Sequence, residues 1–273
     1  MNKFIFTIIL SLAAFLCMNF MQEGEITLES ETCSVTEVTK AEKKRYEIPV
    51  WKKQQNEIRL EQYGYTVSYN TKLCIPNWVA WELNSEKLVE RESRNNKFLP
   101  NPKLPKHQAV TTDEYKGSGW DRGHMCPAGD NKYHWRAMDE SFYMTNICPQ
   151  NNNLNRGDWK ELEEDCRRWA TKEPVYIVCG PILYNKPKYG FIGRKFMIRV
   201  PDAFFKVVLT GLNSGKPRAI GFIYKNESGN NKRDKYVNSV DDVERITSLD
   251  FFANLPDEIE NKIEASYKLS EWR

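Results

Sequence analysis

The chain has 273 residues, of which 40% are hydrophobic and 28% are charged. This length and this apolar content exclude a peptide, a fibre and a disordered tail, and they predict a globular protein with a substantial core. The 40 Lys and Arg residues exceed the 37 Asp and Glu residues by only three charges. So small an excess does not indicate nucleic-acid binding, which must be inferred from a local site.

The amino terminus has the features of an export signal. Lys3 precedes an uncharged apolar run over residues 4–17. This arrangement is typical of a signal peptide, so we expect residues 1–21 to be removed and the protein to be periplasmic or secreted. If the leader is not cleaved, the run extended to Met21 is an alternative membrane anchor. We expect no stable membrane partner beyond this leader, and the sequence does not determine the oligomeric state.

Residues 22–45 are polar and lack helical or strand periodicity, so we interpret them as a tether. Residues 46–273 are then expected to form a single folded domain. Six cysteines follow the leader, and an even number in an exported chain favours disulfide bonds, although small buried thiols are the alternative. These cysteines are Cys33, Cys74, Cys126, Cys148, Cys166 and Cys179.

The pattern of apolar residues predicts a mixture of strands and helices. The spacing of Trp159, Leu162, Cys166 and Trp169 predicts an amphipathic helix that is capped at Asn155 and ends before residue 174. Two more helices are predicted to begin at residue 239 and near residue 256. Many strands with few helices indicate an α+β fold with a largely antiparallel sheet. The predicted strands cover residues 65–69, 78–83, 142–147, 175–179, 196–200, 204–209 and 219–224.

The segments 118–130 and 144–168 contain the residues best suited to catalysis. His124 is one of only three histidines, and it directly follows Asp121, Arg122 and Gly123. An isolated histidine among charged residues is usually not catalytic. Here the glycines at 117, 119 and 123 would let the backbone turn sharply and approach a ligand closely, which favours a functional site.

Asn155 is most simply interpreted as a helix cap. Its amide oxygen could also bind Mg²⁺, which prefers oxygen ligands and keeps most of its waters. Glu163 lies about two helical turns further on, where its carboxylate could hold those waters. Arg167 could bind a phosphate, although an ion pair with Glu163 at i, i+4 spacing is the alternative.

These residues resemble the DNA/RNA non-specific endonucleases of the ββα-metal class, also called His-Me finger or endonuclease G-like nucleases. The similarity consists of the run 121–124 and the spacing from His124 through Asn155 to Glu163. It continues more weakly from about residue 65 to 256. Further matching positions are Pro127, Ala128, Asp130, Thr145, Asn146, Pro149, Gln150, Leu154, Trp159 and Leu162.

The resemblance implies a ββα-metal fold in which helices flank the central sheet. It also implies hydrolysis of phosphodiester bonds in both DNA and RNA, bound through their backbone phosphates, to give 5′-phosphate ends. Mg²⁺ is the implied cofactor, and Mn²⁺ suits the same oxygen ligands. The catalytic residues that it implies are His124, as the general base, and Arg122, Asn146 and Glu163. It further implies that Asn155 binds the metal and that Arg122 and Arg167 bind the substrate. Asp121 is implied to support the site.

Two other functions are weighed against this one. His124, Cys126, His134 and Cys148 are potential zinc ligands, but their spacing matches no common structural zinc pattern. The second alternative is an exported protein that captures or takes up nucleic acid on a nuclease scaffold without turnover. Between residues 87 and 136 there are ten basic and six acidic residues, a modest excess that suits either use of nucleic acid.

Overall fold

The computed structural model describes residues 44–272. The predicted leader and nearly all of the predicted tether lie outside these residues. Arg45, at the end of that tether, already belongs to the fold, because its guanidinium donates to Glu47 Oε1 and Glu61 Oε2 at 3.0 Å. No helix within the described part of the chain has the length and apolar character needed to cross a bilayer.

The described residues form thirteen strands and five α-helices. The strands are β1 (Val50–Trp51), β2 (Ile58–Glu61), β3 (Thr66–Asn70), β4 (Ile75–Leu83), β5 (Asp121–His124), β6 (Ile147–Gln150), β7 (Val175–Ile182), β8 (Phe191–Ile192), β9 (Ile198–Arg199), β10 (Ala203–Thr210), β11 (Arg218–Lys225), β12 (Val237–Asn238) and β13 (Leu249–Asp250). The helices are α1 (Trp135–Ser141), α2 (Asn152–Arg156), α3 (Asp158–Ala170), α4 (Val240–Thr247) and α5 (Asp257–Glu264).

A seven-stranded antiparallel sheet with the order β12-β11-β10-β7-β4-β3-β2 forms the centre of the fold. Both of its faces are covered, as strand β10 shows. Phe204 and Val208 pack with residues of α3, whereas Phe205 and Val207 pack with residues of α4 and α5. Alternate residues of a strand point to opposite faces, so a strand buried on both sides is mostly apolar. The predicted α+β class with an antiparallel sheet is confirmed.

Six of the seven predicted strand segments overlap strands, but the prediction for residues 142–147 is wrong. Helix α1 ends at Ser141, a 3₁₀ turn covers Met144–Asn146, and only Ile147 enters a strand. The Asn146 amide donates to the carbonyls of Cys126 and Ser141, both at 2.8 Å, and these contacts hold the chain in a turn. Tertiary hydrogen bonds therefore override the local strand propensity.

The helix predicted to begin at an Asn155 cap is in fact divided in two. Asn151 caps α2 by accepting from the backbone N–H groups of Asn153 and Leu154, at 3.0 and 3.3 Å. The backbone of Gly157, at φ −109° and ψ −111°, interrupts the helix before α3 begins. Asn155 thus lies inside α2. The predicted starts at Ser239 and Pro256 are confirmed, because these residues are the caps of α4 and α5.

The expectation of disulfide bonds is contradicted for the five cysteines among residues 44–272. Cys74, Cys126, Cys148, Cys166 and Cys179 are all free and buried. They occupy core positions as small apolar side chains, which is the alternative that the sequence left open. Cys17 and Cys33 lie outside the described residues.

We expect every one of these five thiols to react with an alkylating reagent when the protein is unfolded without reductant. Burial protects them only while the core is intact. Peptide mass spectrometry should find each cysteine singly alkylated, as in a sample reduced beforehand. Disulfide-linked peptides joining any two of the five would contradict the assignment.

Candidate active site

Strands β5 and β6 form an antiparallel hairpin that leads directly into helices α2 and α3. In this hairpin Asp121 is paired with Gln150, and His124 is paired with Ile147. A Cβ atom on Gly123 would lie 2.1 Å from the side-chain oxygen of the buried Gln150. Glycine is therefore required at position 123 by packing inside the hairpin, whereas positive φ angles require glycine at Gly117 and Gly119.

His124 lies in a mostly apolar slot at the end of β5. Its ring centroid is 5.3 Å from that of Phe98 and 4.9 Å from that of Phe142, and the residue is only 8% exposed. Burial, together with the positive charges of Arg94 and Arg122, lowers the pKa of His124 to about 3. The imidazole is therefore neutral at physiological pH, and within residues 44–272 its Nε2 has no hydrogen-bond partner.

Arg122 lies two residues before His124, on the same face of β5. Its guanidinium carbon is 4.4 Å from the centroid of the Phe98 ring, whose own centroid is close to His124. Arg122 is exposed, and among the described residues it forms no ion pair. Its N–H donors therefore remain available for a phosphate.

Arg94 is a candidate site residue that the sequence analysis missed. Its guanidinium carbon lies 5.3 Å from the centroid of Phe142, a ring that also contacts His124. Its positive charge lowers the pKa of both His124 and Glu163. The only signal in the sequence was the basic excess over residues 87–136, and nothing in it distinguished Arg94.

Asp121 holds Asn155 in a fixed orientation. Asn155 Nδ2 donates to Asp121 Oδ2 at 3.0 Å, Asn152 Nδ2 donates to Oδ1 at 2.5 Å, and Arg156 binds both oxygens at 3.0 Å. Burial opposes the ionisation of Asp121, but these hydrogen bonds lower its pKa. Because the amide nitrogen of Asn155 is engaged, its oxygen is left to bind a hard cation.

Glu163 and Arg167 lie on α3 and do not form the ion pair that the sequence left open. Arg167 Nη1 instead binds the buried carboxylate of Asp130, at 2.8 Å from Oδ1. Burial raises the pKa of Glu163 to about 7, against the opposing charge of Lys206. Within residues 44–272 the Glu163 carboxylate accepts no hydrogen bond, so it can interact with a cation or with water.

Asn146, which the resemblance placed among the catalytic residues, is completely buried. Besides donating to two carbonyls, its amide accepts from the N–H of Cys126 at 2.9 Å, so both ends of the amide are engaged within the protein. Asn146 fixes the chain just after His124. This position gives it a supporting role and leaves no group to contact a substrate.

Lys206, a second residue that the sequence analysis missed, lies beneath α3. It is fully buried on β10, with its Nζ 4.3 Å from the centroid of Trp159 and 5.6 Å from that of Trp81. Trp159 in turn donates from Nε1 to the carbonyl of His124 at 3.3 Å. The pattern of apolar residues in this strand does not predict that the lysine side chain points into the core, where two indole rings stabilise its charge.

The zinc alternative finds no support among the described residues. The only group of three or more potential ligands there consists of Asp241, Glu244 and Glu264, far along the chain from His124. His134 belongs to no such group among residues 44–272; its ring stacks on Tyr63 at a centroid distance of 4.2 Å, and its Nδ1 accepts from the N–H of Arg136 at 3.1 Å. The zinc interpretation is therefore dropped.

Comparison with known families supports the interpretation of this hairpin. Residues 43–258 match the model of the DNA/RNA non-specific endonuclease family. The chain belongs to this family. The resemblance inferred from the sequence is confirmed, and the family assignment covers both the β5–β6 hairpin and the helices that follow it.

Individual relatives agree with the family assignment. The chain is 34% identical to mitochondrial Nuclease EXOG of Xenopus laevis over 223 residues, covering 72% of this chain and 62% of that protein. It is 35% identical to a nuclease of Nostoc sp. over 214 residues, covering 74% of this chain and 75% of that protein. The match therefore spans less than two thirds of the Xenopus nuclease.

A solved structure has the same fold. It is the crystal structure of the EndoG/EndoGI complex, which concerns the inhibition of EndoG. The TM-score is 0.67 at 26% identity, and the match covers 74% of this chain and 88% of that one. The ββα-metal fold inferred from the sequence is thus confirmed.

We expect His124 to remain neutral between pH 5 and pH 8 in the folded protein. Its pKa is lowered to about 3, and the unfolded value is about 6.5, so the unfolded chain binds the extra proton first. Protonation of His124 therefore favours the unfolded chain: the free energy of unfolding is unaffected by this residue above about pH 6.5 and decreases as the pH falls from 6.5 toward 3.

Imidazole nitrogen chemical shifts in a ¹⁵N-labelled sample provide the measurement, and His124→Gln identifies the signal by its loss. A titration midpoint close to 6.5 for His124 would contradict the burial argument.

Proposed function

We propose that the protein is a metal-dependent nuclease that hydrolyses phosphodiester bonds in DNA and RNA and leaves 5′-phosphate ends. One observation carries this proposal: strand β5 presents a neutral, buried His124 and an exposed Arg122, while its first residue fixes the amide of Asn155. A base, a phosphate-binding cation and an oxygen ligand for a metal are thus organised by four consecutive residues. Membership of the endonuclease family supports the same reaction.

His124 accepts the proton from the attacking water. The imidazole is already neutral, so no proton has to leave before it can act as a base. The nearby Arg94 and Arg122 disfavour its protonated form in the free protein. Once an anionic phosphate binds these arginines, their positive charge is offset, and the basicity of His124 rises where the reaction needs it.

The donor groups of the site fit a hydrated divalent cation. Asn155 would hold Mg²⁺, or Mn²⁺, through its free amide oxygen, and Glu163 would bind waters of the ion without contacting it. Asp121 prevents the Asn155 amide from turning its nitrogen toward the ion. When bound, the ion supplies positive charge that stabilises the phosphate oxygens in the transition state.

Arg122 and Arg94 bind the phosphate from the exposed side of the site. A guanidinium can donate two parallel hydrogen bonds to phosphate oxygens. Arg167 is held by Asp130 through one nitrogen and supports the site with its remaining donors. Contacts of this kind read neither the base nor the sugar, which supports activity on both DNA and RNA.

We further propose that the protein acts outside the cytoplasm. The leader-like segment over residues 1–21 carries this proposal, and it lies outside the described residues. Extracellular or periplasmic nucleic acid would then be the available substrate. Cleavage of the leader can be tested by amino-terminal analysis of protein from the exported fraction.

We expect the purified full chain to degrade both plasmid DNA and RNA with Mg²⁺, and to lose this activity with EDTA. His124→Ala should lower the rate by about 10²- to 10⁴-fold, the usual contribution of a general base. The fragments should accept a 5′ phosphate label only after phosphatase treatment. If DNA and RNA stay intact in all of these samples while the protein still binds them in a gel-shift assay, the result would instead support a capture protein.

We expect Asn155→Ala to lower turnover far more than nucleic-acid affinity, because the metal acts mainly in the transition state. Asn153→Ala is the matched control, since Asn153 lies on the same short helix and its amide binds Ser228 at 2.9 Å, away from Asp121. Single-turnover rates and filter-binding affinities should be compared for the two variants. Equal losses of turnover and affinity in Asn155→Ala would contradict the assigned role.

A further inference from the structure

Three carboxylates of the described chain meet on the face of the sheet opposite to α3. Asp241 and Glu244 lie three residues apart on α4, and Glu264 is the last residue of α5. One carboxylate oxygen from each lies within 4.8 Å of the others. Helices α4 and α5 pack on the face of β10 that bears Phe205 and Val207, whereas Trp159 of α3 covers the other face. This cluster is therefore separate from the candidate active site.

Glu264 is the residue whose chemistry is unexplained. It is only 4% exposed, and its Oε1 is buried without a hydrogen-bond donor among residues 44–272. A buried carboxylate with no partner is costly and needs either a proton or a cation. Glu244, beside it, is only 7% exposed.

The surrounding charges do not neutralise the cluster. Glu244 Oε2 binds Lys52 Nζ at 2.6 Å, and Lys52 also binds Asp250 at 3.1 Å. Glu244 Oε1 accepts from the N–H of Phe251 at 2.7 Å. One ammonium group is thus shared by two carboxylates, neither of which is Glu264.

Burial, followed by the negative charges of its neighbours, raises the pKa of Glu264 to about 9. The groups responsible are Glu244, Glu260, Asp241 and Asp250, with Lys52 as the ammonium facing this cluster. Four carboxylates thus act on Glu264, whereas Lys52 forms ion pairs with only two of them, Glu244 and Asp250. Such an excess of negative charge attracts a cation.

The set of ligands suits Ca²⁺, which takes oxygen ligands at about 2.3–2.6 Å in flexible geometry, so two ligands of one ion can be up to about 5 Å apart. Carboxylate oxygens that lie within 4.8 Å of one another meet this requirement. Mg²⁺ demands a near-ideal octahedron and usually binds through only one or two carboxylates. Asp241 is exposed, which leaves room for water to complete the coordination.

We propose that Asp241, Glu244 and Glu264 form a second cation site that binds Ca²⁺ and fastens helix α5 to helix α4. The bound ion stabilises the fold by linking the end of α5 to the sheet through α4. It takes no part in cleavage, so this site stands whether or not the proposed nuclease activity is confirmed.

The test is a thermal-unfolding titration of the full chain with CaCl₂ after removal of metals by chelation. At 100 times its dissociation constant, Ca²⁺ should raise the Tm by about 5–10 °C. Glu264→Gln keeps the shape of the side chain but removes its charge, and it should lose this rise. Glu258→Gln, an exposed position on the same helix, is the matched control and should keep it.

Two further variants make the result decisive. Asp241→Asn changes an exposed ligand, so it should fold even if Glu264→Gln does not, and it should weaken Ca²⁺ binding measured by calorimetry at least tenfold. Asn155→Ala should leave the Ca²⁺ effect intact, because it alters only the candidate active site. No Ca²⁺ effect in the natural protein, which would mean that Glu264 merely holds a proton, or an equal effect in Asp241→Asn, would overturn the proposal.

Discussion

The carboxylate of Asp121 is the contact on which the candidate active site depends. It is the first residue of β5, and it joins that strand to α2 through Asn152, Asn155 and Arg156. Without it the short helix α2 would lack its main tie to the hairpin, and the Asn155 amide could turn freely. A single, partly buried carboxylate thus fixes the orientation of the proposed metal ligand, while His124, three residues later, is fixed by the strand itself.

The site combines two environments that would be incompatible in water. Phe98 and Phe142 enclose His124 and keep it neutral, whereas Arg122 and Arg94 lie over the same two rings and carry charge at the rim. Aromatic rings can serve both purposes, because they exclude water from one neighbour and attract a cation to the other. In the proposed reaction, a phosphate would therefore contact the exposed arginines first and the buried imidazole behind them.

The sequence predicted the parts of the fold that depend on local pattern. Strands such as β7 and β10 were predictable because β-branched and aromatic residues dominate them, and the spacing of His124, Asn155 and Glu163 led to the family that the comparisons confirm. Other features depend on tertiary contacts that no spacing encodes. Arg94 joins the site because its guanidinium packs on the ring of Phe142. Lys206 can be buried because its ammonium group lies near two indole rings. Asn155 lies inside a helix and does not cap one, because the chain breaks the helix at Gly157. The prediction of disulfide bonds failed for a related reason, because an even number of cysteines leads to pairing only when the fold brings their side chains together.

In the proposed mechanism, His124 and a metal ion on Asn155 act on the same phosphate. The most direct test is a crystal structure of His124→Ala with Mn²⁺ and a short DNA duplex, in which anomalous scattering locates the metal. We expect an ion bound to the Asn155 oxygen, with one backbone phosphate between that ion and the position of the missing imidazole. A metal bound away from Asn155, or a phosphate out of reach of residue 124, would contradict it.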